Sequence, residues 1–179
     1  MPRIEFTRFL LFAATGLLLT NAGELKAQPT RPPPTREQMA QMQAKRQAFC
    51  EGVQKLGVLA KTDFRSIDKG LKKGSDLFHA SAITLPDAND CYIATIKGET
   101  NHSCSFPARV ETLANQTRAI SNLVARCIGS PPPAIENDEL GTHGAMTIGG
   151  VRYAIQSNDY GEGTPVDVSV SIEKARAAR

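Results

Sequence analysis

Four cysteines, Cys50, Cys91, Cys104 and Cys127, constrain this chain of 179 residues more than any other feature. None belongs to a C-x-x-C pair, the spacing that structural zinc sites usually carry. A metal site built from them with His79 or His102 is therefore not expected. An even count behind an export segment reads instead as two disulfides. Which sulfurs pair depends on the elements that carry them.

Residues 1–27 have the pattern of a secretory signal peptide. Arg3 and Arg8 give a positive start, and the stretch from Phe9 to Gly23 carries no charge. Its apolar centre ends at Leu19, short of the roughly 20 residues that a membrane-spanning helix needs. Ala22 and Ala27 offer small residues for cleavage. A periplasmic or secreted protein is expected, with no transmembrane span after cleavage. Cleavage after Ala27 removes Arg3, Arg8 and Lys26 against Glu5 and Glu24, which takes the net charge from +3 to +2. So mild a balance excludes the concentrated basic stripe of nucleic-acid readers, and no nucleic-acid partner is expected.

Residues 28–35, Gln-Pro-Thr-Arg-Pro-Pro-Pro-Thr, read as a stiff, extended leader. A single domain is expected over 36–174, with a basic tail over 175–179. Thr35-Arg-Glu-Gln38 has the form of a capping box that opens a helix. Met39, Met42, Phe49, Val53 and Leu56 fall on one face of it, and Gly57 is read as its stop. Phe64, Ile67 and Leu71 suggest a short second helix. Strands are expected over 81–85, 91–96 and 102–106. A two-residue turn at Lys97-Gly98 sets Cys91 directly opposite Cys104. A helix from near Pro107 to about Ile128 puts Val110, Leu113, Thr117, Ile120, Val124 and Cys127 on one face. Cys50 lies beside the inward Phe49 and Val53 of the first helix, so the second pair is Cys50 with Cys127. Residues 129–144 read as a long connection. Val151, Tyr153 and Ile155, then Val166, Val168, Val170 and Ile172, alternate with polar residues, which marks two strands with one wet and one buried face.

The expected fold is thus α+β: an antiparallel sheet of about five strands with two main helices on one face, in the order α-(α)-β-β-β-α-β-β, held by two disulfides.

Chemistry is harder to find. The chain contains no G-x-S-x-G, H-E-x-x-H, Walker or G-x-G-x-x-G motif, and no cofactor is expected. Oxidised sulfur cannot act as a nucleophile, so no residue is assigned a catalytic role. Of the three histidines, His79 precedes the first strand, and His102 falls opposite Ile93. His143, in Gly-Thr-His-Gly on the long connection, is the candidate binding residue, because function gathers on loops. The function expected is a non-catalytic protein- or envelope-binding module. It would act through the open sheet face or the 129–144 connection on a protein partner in the cell envelope. The alternative is a small secreted hydrolase using His143 with Glu136, Asp138 or Glu139. A third reading is an oligomeric envelope component in contact through Met39 and Met42.

Overall fold

The structure is a computed structural model that describes residues 33–138, 141–159, 161 and 164–176. The expected signal peptide, most of the leader, Glu139 and the last three residues of the basic tail lie outside the described residues. Thr35–Arg179 forms one compact unit.

Helix α1 spans Arg36–Leu59 and is followed by strands β1 (Asp68–Leu71), β2 (Phe78–Ser81), β3 (Asp90–Ile96) and β4 (Glu99–Pro107). Helix α2 spans Leu113–Ile128 and is followed by β5 (Glu136–Asp138), β6 (Gly141–Ile148), β7 (Val151–Asn158) and β8 (Asp167–Lys174). All the strands belong to one antiparallel sheet, in the order β1-β2-β3-β4-β8-β7-β6-β5. The chain therefore lays down a helix and a four-stranded meander twice. The two meanders meet along their last strands.

The sheet has eight strands rather than about five, although the class is α+β. Two misread regions account for the difference. The helix expected over Phe64–Leu71 does not form, because Asp63 and Phe64 both take left-handed backbone angles (φ 54° and 57°). A right-handed helix cannot pass through two such residues. One 3-10 turn follows at Arg65–Ile67, and the chain then pairs as the edge strand β1. The long connection likewise contains β5 and β6. Its glycines suggested a loop, yet Gly144 sits at an inward strand position because residues 134 and 135 pass over it. A Cβ there would lie 3.0 Å from the Ala134 carbonyl oxygen and 2.9 Å from Ile135 Cδ1.

The strand expected over 81–85 is displaced too. Ser81 Oγ accepts from the Ile83 amide at 3.0 Å and turns the chain out of the ladder, so β2 ends there and Leu85 reaches the core from a loop. At the helix ends, Thr35 and Gln38 form the expected capping box. Gly129, at φ 69°, caps α2, a left-handed position that glycine fills without a Cβ clash.

The sheet buries the face that carries the helices. Cys91, Cys104, Val170, Ile155 and Gly144 stand in one row across five strands, and Ile93, His102, Ile172, Tyr153 and Met146 in the next. Phe49, Val53 and Leu56 from α1 and Val124, Ala125 and Cys127 from α2 close the core over these rows. Two disulfides tie it, Cys50 to Cys127 between the helices and Cys91 to Cys104 between β3 and β4. Lys97 and Gly98 both have positive φ, as the tight hairpin turn requires, and that turn sets the Cys91–Cys104 register.

Candidate functional site: a cleft at the helix ends

The three histidines sit in three unrelated settings. His79 lies in β2, with Nδ1 2.8 Å from Asp68 Oδ2 in a half-exposed pair. The Gly70 amide, and then His79, hold the Asp68 carboxyl below its usual range. His102 is fully buried. Its Nε2 is 2.9 Å from Ser81 Oγ, and its ring packs on Phe64 at 5.7 Å. Burial lowers its pKa to about 4, so the imidazole is a neutral core plug.

His143 lies in β6, opposite Glu136 of β5. Its Nε2 is 3.5 Å from Glu136 Oε2 and its Nδ1 is 3.8 Å from Asp138 Oδ1. Two of the three carboxylates named from the sequence do approach it. The group stands on the open sheet face, however, and the Glu136 side chain is 73% exposed. Among the described residues no three His, Cys, Asp or Glu side chains are grouped to hold a metal ion. All four sulfurs are bonded to one another, which removes them as nucleophiles and as thiolate ligands. Met39 and Met42 lie on the exposed stretch from Arg36 to Ala48 of α1.

A different place combines concavity with unsatisfied chemistry. The C-terminal ends of α1 and α2 and the β6–β7 hairpin border a wide-open cleft of about 600 Å³, a volume within the range of roughly 300–1,000 Å³ typical of small-molecule sites. Val58, Ile128, Ile148 and Val151 give it apolar walls, and Lys61 and Arg126 stand at it. No acidic side chain among the described residues lines it. Among the described residues neither cation has a carboxylate within 4.0 Å.

Tyr153 reaches this cleft from β7. Its side chain points inward in the Ile93–His102–Ile172 row, and the residue is 4% exposed. Its hydroxyl makes no hydrogen bond to any described residue, although buried tyrosine hydroxyls usually find a partner. Burial pushes its pKa up, so it stays protonated and able to donate. Gly57 gives it room, since a Cβ on that residue would collide with Oη. Other polar groups nearby are already engaged. Gln54 Nε2 donates to the Cys127 carbonyl at 2.6 Å, and Arg126 Nε donates to the Asn122 carbonyl at 3.2 Å.

Gly57 is not the helix stop that its residue type suggests, because α1 runs on to Leu59. A glycine inside an otherwise helical pattern was the one available hint of a close approach. Lys61 and Arg126 carried no local signal. Comparison with protein-family models, with curated proteins and with solved structures finds no match to this chain.

Proposed function

We propose that this protein is a non-catalytic ligand-binding module of an oxidising compartment, periplasmic or secreted, and that its ligand occupies the Tyr153 cleft. The observation that carries the reading is the buried Tyr153 hydroxyl, open to the cleft and without a partner among the described residues. A bound ligand that accepts from it and excludes water would add a hydrogen bond worth about 0.5–1.5 kcal/mol. The two disulfides favour an oxidising compartment. No described helix is long and apolar enough to cross a membrane. The 129–144 segment is a weaker candidate surface than its sequence suggested, because much of it is paired within the sheet.

A thermal-shift screen of the oxidised protein against small organic ligands tests this reading. Ligands of the cleft raise the melting temperature of the wild type, and Ile148→Glu, a half-exposed substitution at the cleft wall, abolishes the shift. Hits that stabilise both proteins equally place binding elsewhere.

The approach of Glu136 and Asp138 to His143 supports a second reading, a small hydrolase. Turnover of ester or phosphoester substrates that is lost in His143→Ala would favour it over the binding module.

A further inference from the structure

We infer that the cleft takes a small amphiphile with an anionic head and an apolar body. This rests on the proposal that the cleft is a binding site and goes further by naming the ligand chemistry. Three observations converge on it.

The charge is one-sided: Lys61 and Arg126 stand at the cleft, and among the described residues no carboxylate lines it. The hydrogen-bonding capacity is also one-sided. Gly129 N–H and Gln54 already bind α2 carbonyls, and the Tyr153 hydroxyl is left as a protonated donor. An anionic oxygen is the acceptor that such a group binds most strongly, since hydrogen bonds to charged partners are about twice as strong as neutral ones. The walls, finally, are apolar and wet. Val58 is 68% exposed and Ile148 38% exposed beside the cleft. An apolar body laid against them would remove that surface from water. A purely ionic ligand would leave it exposed, and a neutral hydrocarbon would leave the two cations and the hydroxyl unused.

The test is isothermal titration calorimetry of the oxidised protein. The probes share a chain length and are kept below their micelle-forming concentrations: dodecanoate, dodecyl phosphate, dodecanol and dodecylamine. At least one anion is expected to bind no less than tenfold more tightly than dodecanol and dodecylamine. Tyr153→Phe should weaken that anion about tenfold, the loss of one charge-assisted hydrogen bond. Lys61→Gln with Arg126→Gln should bring it down to the level of dodecanol. Because the hydroxyl holds no other group, Tyr153→Phe keeps the wild-type melting temperature, which separates lost binding from lost folding. If dodecanol or dodecylamine binds as tightly as the anions, and Ile148→Glu blocks it, the anionic assignment is overturned while the cleft remains a site. If none of the four binds, the ligand class is overturned, and the small-molecule screen decides on the cleft separately. Anion binding unchanged in all the variants places the amphiphile elsewhere and overturns the inference.

Discussion

β3 and β4 are stitched by Cys91–Cys104 and hold a sealed histidine beside it, whereas β7 and β8 meet through Ile155 against Val170 and Tyr153 against Ile172. These strands occupy corresponding places in two successive helix-plus-meander units. In the second unit β7 and β8 are regular eight-residue strands with strict alternation, and their inward side chains are mostly apolar. In the first, β1 and β2 have only four residues each, and Ile83 and Leu85 reach the core from a loop. One topology is thus secured by covalent and polar means on one side and by aliphatic packing on the other. His102, the polar plug in the first unit, is hydrogen-bonded to Ser81, while the Tyr153 hydroxyl in the second has no partner among the described residues and opens on a cleft. That asymmetry separates a structural buried polar group from one available to a ligand.

The largest effect should come from the disulfide that joins the two units. Cys50 and Cys127 are 77 residues apart, against 13 for Cys91 and Cys104. In the loop-closure model, replacing the long-range pair by alanine costs about 4.5 kcal/mol, and the short-range pair about 3 kcal/mol. Urea denaturation of the two double variants checks the order. A reversed order would mean that the first unit depends on its own stitch more than the domain depends on the link between units.

Next comes acid sensitivity. Above the ordinary histidine value of 6.5, His102 is neutral in both the folded and the unfolded chain. Between 6.5 and its folded value of about 4, the unfolded chain takes up a proton that the folded one refuses. Stability therefore falls as the pH drops through that window, by roughly 3 kcal/mol at about 1.4 kcal/mol per pH unit. His102→Leu should flatten the slope. The Ser81 hydroxyl still has its bonds to Ile83 in that variant. Asp68 acts in a separate window. Its pKa is lowered from 3.8, so its stabilisation is present above that value and fades as the pH falls through its folded pKa.

The smallest effect is expected at Tyr153. In the absence of ligand, Tyr153→Phe should leave the unfolding free energy within about 0.5 kcal/mol of the wild type, because the hydroxyl opens on the cleft and holds no described group. A clear destabilisation would show that the hydroxyl has a structural partner after all and would erase the contrast with His102.

The last two strands of the second unit were the most legible in the amino-acid sequence. Alternation at Val168, Val170 and Ile172, and the Gly149-Gly150 turn with both residues at positive φ, are local signals. The sulfur register across β3 and β4 was legible for the same reason, since a two-residue turn fixes it. What failed depended on distant neighbours. Phe64, Ile67 and Leu71 are spaced like a helix face, but buried Phe64 is held in a left-handed conformation. Gly144 has the look of a loop residue in sequence, and only the tertiary fold lays residues 134 and 135 over it. The cleft was hidden altogether, because Lys61, Arg126 and Tyr153 lie on three elements that only the tertiary fold brings together. The residue that sequence did single out, His143, found its two carboxylates on an open face.

The most direct measurement is an amide chemical-shift map of the oxidised protein titrated with dodecanoate. The account predicts shifts concentrated over residues 54–61, 126–129 and 148–153, the three segments that border the cleft. Shifts centred on His143, Glu136 and Asp138, with the helix ends silent, would contradict it.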